Sequence, residues 1–198
     1  RMDLTKGFTQ KDYGDNGQKG DWSQYDASRI VILKDYCDAA RAAHPDTYFI
    51  IEHLGANKEE VEYVKYGILP WRNMNNSYCQ AAMGYASSSN FADNNNLKNI
   101  TKNAPNSLGG MFTDGWVGYG ESHDEERNMY KALAYGDGNL QNEDAHADRM
   151  ARVPAVIAFT TLIPGPKMLW QFQELGYDYS INHCSNNRID DECRTYAK

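Results

Sequence analysis

The chain has 198 residues, of which 41% are hydrophobic and 24% are charged, so it can bury a core and lacks the composition of a disordered protein. Its net charge of -7 argues against a nucleic-acid partner, because the sequence has no cluster of lysine and arginine to replace phosphate counterions. The longest apolar stretch, 153–163, is interrupted by Pro154 and is shorter than the about 20 residues that a membrane crossing needs, so we expect a buried helix there.

Hydrophobic periodicity and turn residues predict an alternation of strands and helices. Strands are predicted at 1–4, 48–51, 68–74, 116–119 and 167–172, and helices at 57–65, 77–83, 125–135 and 145–162, the last kinked at Pro154. A further helix is predicted from a cap at Asp26 or Ser28 to His44, where Pro45 stops it. The polar segments 9–25 and 87–110 are predicted to be mainly loop.

Strands that are each followed by helical residues are typical of a parallel sheet with right-handed crossovers. Two architectures fit this α/β pattern: an open doubly wound sheet and part of a (β/α)8 barrel. A doubly wound sheet usually carries a glycine-rich phosphate loop after a strand, and neither common form of that motif occurs in the sequence. This favours the barrel, whose active site gathers at the carboxyl ends of its strands.

Three acidic residues follow the most apolar segments of the chain: Asp3, Glu52 and Asp124. A carboxylate is costly to place at the exit of a buried parallel strand, so each is a candidate for catalysis. Each also has an ordinary alternative, since a surface ion pair or an acidic helix start would need the same residue types.

Four motifs together carry a specific resemblance. Arg-x-Asp-x-x-Lys at 1–6, Glu52 at the end of an apolar strand, and Ser-His-Asp at 122–124 resemble the second, third and fourth signature regions of the α-amylase family of glycoside hydrolases. Their spacing leaves room for one and two strand–helix units respectively. The segment 164–174 resembles the last barrel strand of that family, and the likeness is to its bacterial starch-degrading members.

The resemblance implies a retaining mechanism with three carboxylates. Asp3 would be the nucleophile, and Glu52 would be the acid that protonates the leaving oxygen and then the base that activates water. Glu52 must begin protonated, so a raised pKa is expected. Asp124 would stabilise the oxocarbenium-like transition state.

The same resemblance implies three substrate-binding or supporting residues. His123 would donate a hydrogen bond to the sugar ring, and Arg1 would keep the nucleophile ionised and oriented. Lys6 matches a position that contacts sugar on the leaving-group side, whereas Gly7 stands where relatives often have histidine.

The family's first signature region is missing, which implies the C-terminal part of a barrel, about strands 4 to 8 at residues 1–177, with a polar loop-rich tail at 178–198. A sheet without its first three strands exposes unpaired edges, so self-association through those edges and impaired activity of the isolated chain are expected. The expected substrate is an α-1,4-linked glucan. An α-glucosidase, a transglycosidase of the same family and a non-catalytic glycan-binding fragment remain alternatives.

No cofactor is required for this chemistry, although many family members carry a structural calcium ion, whose ligands in the family's insertion would be gone here. A loop with Asp12, Asp15, Asp21 and Asp26 fits no defined calcium site and is expected to be a solvated acidic loop. The resemblance implies a secreted, periplasmic or cell-surface location, and no targeting signal opens the sequence.

The cysteines and tryptophans allow two readings each. Cys184 and Cys193 are close enough in sequence to form a disulfide, with the free thiols as the equal alternative, while Cys37 and Cys79 are expected to be buried thiols. Trp22, Trp71 and Trp116 could stack on sugar faces, although such rings more often pack in a core.

Overall fold

The computed structural model of the chain describes residues 1–14, 20–85, 115–162 and 165–182. The predicted loop at 87–110, Asp15 and the Cys184–Cys193 disulfide lie outside the described residues. The boundary predicted at residue 177 stays a prediction.

Four short parallel strands form one sheet in the order β1-β2-β3-β4, which is also their order along the chain. They are β1 at Ile50–Ile51, β2 at Leu69–Asn73, β3 at Val117–Tyr119 and β4 at Lys167–Met168. Ile50 of β1 lies opposite Leu69 of β2. Met2, which is outside the four strands, forms an isolated parallel bridge to Ile51. The prediction of an α/β fold with a parallel sheet is therefore confirmed.

Helices follow the strands, as predicted. They are α1 at Ala27–Ala43, α2 at Asn57–Tyr66, α3 at Asn75–Met83, α4 at Asn128–Tyr135, α5 at His146–Met150 and α6 at Val153–Leu162. Short 3-10 helices lie at Thr5–Phe8, Gly138–Gln141, Glu143–Ala145 and Gln173–Leu175. Local signals explain several boundaries: the Asp26 side chain accepts a hydrogen bond from the Ser28 N–H to cap α1, and Gly67 takes a left-handed φ of 85° to end α2.

The described residues fall into two compact units. The first contains residues 1–72, 115–118 and 165–167 of the described chain, and the second contains 73–85, 119–162 and 168–182. The core of the first unit joins α1 and α2 to the strands through Leu33, Cys37, Ile51, Tyr63 and Ile68. In the second unit α3 packs against α4, and both helices bury apolar side chains.

Pro154 separates two helices where the sequence predicted one kinked helix. Its ring would clash with the carbonyl of the residue four positions earlier, which is Met150, and α5 ends at that residue. Pro154 itself lies in the first turn of α6, where its missing N–H has no helical partner to lose. The helix predicted over the apolar stretch is present but only partly buried: Val153, Val156 and Thr160 are buried, whereas Leu162 is 81% exposed.

Two other boundaries also differ from the prediction. Helix α4 begins at Asn128 and not at residue 125, because the Glu121 carboxylate accepts a hydrogen bond of 2.7 Å from the Asn128 N–H. Strand β4 ends at Met168 and not at residue 172, since Phe172 adopts a left-handed φ of 66° and leads into a 3-10 helix. Within the described ranges, no helix combines the length and the apolarity that a membrane crossing requires.

Candidate active site

Arg1, Asp3 and Glu52 lie together in the first unit. The parallel bridge between Met2 and Ile51 sets the register, so that the residues on either side of Met2 stand beside the end of β1. Met2 packs against the core, while Arg1 and Asp3 share the opposite face, as residues two apart in an extended chain do. The structure therefore brings together the first two carboxylates that the sequence selected.

The Arg1 guanidinium joins the two carboxylates. One of its terminal nitrogens, Nη2, lies 2.7 Å from Asp3 Oδ1, and the other, Nη1, lies 2.6 Å from Glu52 Oε2. The guanidinium also lies over the Trp71 ring, 4.0 Å from its centroid. A planar fork held on an aromatic face orients both acids at once, which a lysine could not do.

The Asp3 and Glu52 carboxyl groups lie near each other. A carboxylate oxygen of Asp3 lies within 4.8 Å of one of Glu52. Burial raises the pKa of Glu52, and the neighbouring Asp3 raises it further, while Arg1 opposes both effects. Since the Glu52 side chain is 13% exposed and that of Asp3 is 62% exposed, Glu52 is the better place for a proton.

His123 and Asp124 lie in the second unit, in the segment between β3 and α4. Their side chains are 36% and 62% exposed, with His123 Nε2 lying 3.3 Å from Asp124 Oδ2. The His123 ring also contacts the Trp170 ring, with 6.1 Å between centroids. A side chain of this exposure is accessible to a ligand.

A buried carboxylate shapes the segment that carries His123 and Asp124. Glu121 is 1% exposed, and its Oε2 accepts a hydrogen bond of 3.0 Å from Arg127 Nη1. Ser122 holds the intervening turn, since its Oγ accepts a hydrogen bond of 3.1 Å from the Asp124 N–H and its hydroxyl donates to Glu125. Glu121 was not selected from the sequence, although its position directly after the apolar β3 was a signal.

Lys6 and the three tryptophans selected from the sequence differ in their exposure to solvent. Lys6 lies half-buried in the 3-10 helix that follows Asp3. Trp71 and Trp116 are 4% and 3% exposed, so they are core residues and not open platforms for sugar. Trp22 is 43% exposed.

The acidic loop shows turn and capping roles at the three aspartates that the structure describes. Asp12 and Asp21 each accept a hydrogen bond from the backbone N–H two residues later. Asp26 is fully buried as the cap of α1 and also accepts from Thr9. At the candidate site, Asp3 and Glu52 offer the oxygen atoms that hard cations prefer, but one guanidinium already contacts an oxygen of each.

Comparisons with known proteins identify no family for this chain. No model of a known protein family matches the chain, and no curated protein matches it either. The resemblance to the α-amylase family therefore rests on the sequence motifs alone.

Proposed function

We propose that the chain carries part of the catalytic barrel of a retaining glycosidase of the α-amylase family, acting on α-1,4-linked glucans. The observation that carries this proposal is the pair of Asp3 and Glu52, bridged by Arg1 at the end of a parallel strand. Such a pair has the composition and asymmetry that glycoside hydrolysis needs: one carboxylate exposed to attack and one carboxylic acid that can donate a proton.

The separation of the pair supports retention over inversion. Retaining enzymes hold their two carboxyl groups about 5–5.5 Å apart, whereas inverting enzymes leave about 6.5–9.5 Å for a water molecule. An oxygen of Asp3 and one of Glu52 lie within 4.8 Å of each other, which fits the shorter separation better than the longer one. Asp3 would attack the anomeric carbon, and Glu52 would first protonate the leaving oxygen and then deprotonate water.

The electrostatics support the same assignment of roles. Glu52 needs a raised pKa to begin as an acid, and burial together with Asp3 raises it. When Asp3 becomes a glycosyl ester it loses its charge, so the influence that raises the pKa of Glu52 weakens. Glu52, which has given its proton to the leaving oxygen, then stays ionised and can accept a proton from water. In this proposal Asp124 stabilises the cationic transition state, while His123 and Lys6 contact sugar hydroxyls.

The strand order supports a barrel. A doubly wound sheet reverses its strand order at a switch point, and the order β1-β2-β3-β4 contains no reversal. In the proposed barrel the segment at Met2 is strand 4, and β1 to β4 are strands 5 to 8. The three earlier strands would have to come from a longer polypeptide, so the 198 residues alone are expected to have little or no activity.

The test measures starch hydrolysis by the isolated chain and by a longer polypeptide that supplies the remaining strands. In the longer polypeptide, Asp3→Asn and Glu52→Gln should each lower kcat by about 10²-fold to 10⁴-fold, while exposed Glu143→Gln, a matched charge change, should not. Proton NMR of fresh products should show the α-anomer. Unchanged kcat in both site variants would refute the proposed catalytic roles. Full activity of the isolated chain would refute the proposal that three barrel strands must come from a longer polypeptide.

Product analysis separates the alternatives within the enzyme class. A ladder of oligosaccharides indicates internal cleavage, glucose alone indicates an α-glucosidase, and lengthened chains indicate a transglycosidase. Glucan binding without turnover in the longer polypeptide would instead identify a binding module.

A further inference from the structure

A charged network is completely buried in the first unit, behind the two carboxylates. It consists of Thr5, Arg29, His53 and Glu59, each 0% exposed, and we call it the Glu59 network. Buried charges are costly unless they are paired and hydrogen-bonded, so the contacts of each member matter.

Glu59 has a donor on every side. Arg29 binds it in bidentate fashion, with Nε 2.6 Å from Oε1 and Nη2 2.8 Å from Oε2, and the Tyr63 hydroxyl and the Asp26 N–H donate at 2.9 and 3.0 Å. Burial alone would raise the pKa of Glu59, but Arg29, His53 and Tyr63 lower it to about 2. Arg29 continues outward, since its Nη1 donates to the Lys6 carbonyl at 3.0 Å. The network therefore holds the chain just beyond Asp3.

The network also holds the chain at Glu52. His53 lies between Glu59 and Thr5, with Nε2 3.0 Å from Glu59 Oε1 and Nδ1 3.1 Å from Thr5 Oγ1. The Thr5 N–H and hydroxyl both lie 2.9 Å from the Glu52 carbonyl oxygen. Thr5 is two residues from Asp3, so one side chain and one amide connect the two strand ends.

The protonation of His53 follows from its burial. Burial lowers the pKa of His53, so the ring is neutral and only one of its nitrogens carries hydrogen. The single hydrogen of the Thr5 hydroxyl lies within reach of the Glu52 carbonyl oxygen at 2.9 Å and of His53 Nδ1 at 3.1 Å, and the His53 tautomer decides which of the two accepts it. His53 Nε2 lies 3.0 Å from Glu59 Oε1, a salt-bridge distance without hydrogen-bond geometry. With either tautomer, the Thr5 N–H holds the Glu52 carbonyl. Contacts of 2.9 to 3.1 Å therefore connect Glu59 to the Glu52 carbonyl through His53 and Thr5.

We propose that Thr5, Arg29, His53 and Glu59 are positioning residues that set the separation of the Asp3 and Glu52 carboxyl groups. None of them touches the two carboxyl groups in the contacts described above; they act through the backbone that carries them. The catalytic meaning of this inference rests on the proposed function. A displacement of about 1 Å between reacting groups can cost about 10²-fold in rate.

The test uses variants that preserve volume and leave no charge unpaired. Thr5→Val removes only the hydroxyl, and Thr5→Ser restores it. The double variant Arg29→Met with Glu59→Met removes the buried ion pair as a whole. The matched control is Glu62→Gln on the same helix, where a half-buried carboxylate accepts from the Tyr25 hydroxyl at 2.6 Å. Circular dichroism and amide NMR spectra verify that each variant folds.

Two readouts separate positioning from general stability. In the 198-residue chain, carboxyl ¹³C shifts against pH give the pKa of Glu52, which should fall toward its ordinary value in Thr5→Val and in the double variant, because the two acids move apart. Thr5→Ser and Glu62→Gln should keep the wild-type value. In the active polypeptide, Thr5→Val should lower kcat about 10-fold to 100-fold with KM within about twofold.

An unchanged Glu52 pKa in both network variants, in a folded chain, would overturn the inference. An equal fall in the Glu62→Gln control would overturn it as well. Because the ¹³C titration needs no turnover, the positioning inference can succeed or fail independently of the glycosidase proposal.

Discussion

Glu60 gives the most direct quantitative test of the electrostatics next to the candidate site. It lies in the first turn of α2 and is 3% exposed, and its Oε1 accepts a hydrogen bond of 3.2 Å from the Gly55 N–H. Burial raises its pKa, and the adjacent Glu59 raises it further, while Arg72 and the backbone donors lower it; the result is about 7. The variant is Glu60→Gln, which keeps the shape of the side chain and removes its titratable carboxyl group.

The sign and size follow from linkage. The folded chain binds a proton at Glu60 more tightly than the unfolded chain does, so stability falls as pH rises from the ordinary Glu pKa of 4.5 to about 7. At 1.36 kcal/mol for each pKa unit this amounts to about 3 kcal/mol, most of it between pH 5 and 8. The side chain is nearly inaccessible to solvent, so screening reduces this figure little.

The assay is urea unfolding at pH 5 and pH 8, followed by circular dichroism, for wild type and Glu60→Gln. If the glutamine amide lacks a hydrogen-bond partner, the variant is destabilised by the same free energy at both pH values. The informative quantity is therefore the change in unfolding free energy between pH 5 and pH 8. The wild type should lose about 2 to 3 kcal/mol more than the variant. Exposed Glu143→Gln should follow the wild type, and parallel curves for wild type and Glu60→Gln would refute the reasoning.

Three further predictions concern Arg1 at the candidate site, the buried Leu33 and the helix cap Asp26. Arg1→Gln should raise the pKa of Glu52 further, because the guanidinium lowers it; a ¹³C titration that shows no rise would contradict this. Leu33→Ala should cost about 2–5 kcal/mol in urea unfolding, since Leu33 is 0% exposed, whereas Leu162→Ala, at 81% exposed, should cost less than about 0.5. Asp26→Asn should cost about 2 kcal/mol at pH 7, because the folded pKa of Asp26 is lowered from 3.8 to about 2; urea unfolding should show this difference vanish as pH falls through that range.

Most helices were predictable because their signals are local. The apolar positions of α1 recur at helical spacing, and Pro45 forces His44 into an extended conformation that ends the helix. Gly67 and Gly84 end α2 and α3 in left-handed conformations, with φ of 85° and 96°. Each of these signals lies within one turn of the boundary that it sets.

The boundaries that were missed depend on side-chain hydrogen bonds that hydrophobic periodicity does not reveal. Helix α4 starts late because Glu121 accepts from the Asn128 N–H, and the chain after β4 turns where the buried Gln173 amide donates to Asn128 at 3.3 Å. No periodicity encodes such pairs. The closeness of Asp3 and Glu52 is of the same kind, since it depends on the register between Met2 and Ile51. The residue types of the site could be read from the sequence, but their distances could not.

Arg29 and Glu59 lie at positions where a helix pattern calls for apolar side chains. Arg29 is four and eight residues before the buried Leu33 and Cys37, so its burial was readable from spacing alone. Stability does not explain a charged residue there, because replacing a buried ion pair with apolar side chains is often neutral or stabilising by about 1–4 kcal/mol. Geometry does explain it, because only a guanidinium can bind the carboxylate of Glu59 and the Lys6 carbonyl together. We therefore expect the Glu52 pKa to fall in the double methionine variant whatever the change in its urea midpoint, since the Tyr63 hydroxyl and the Asp26 N–H also lose their acceptor on Glu59.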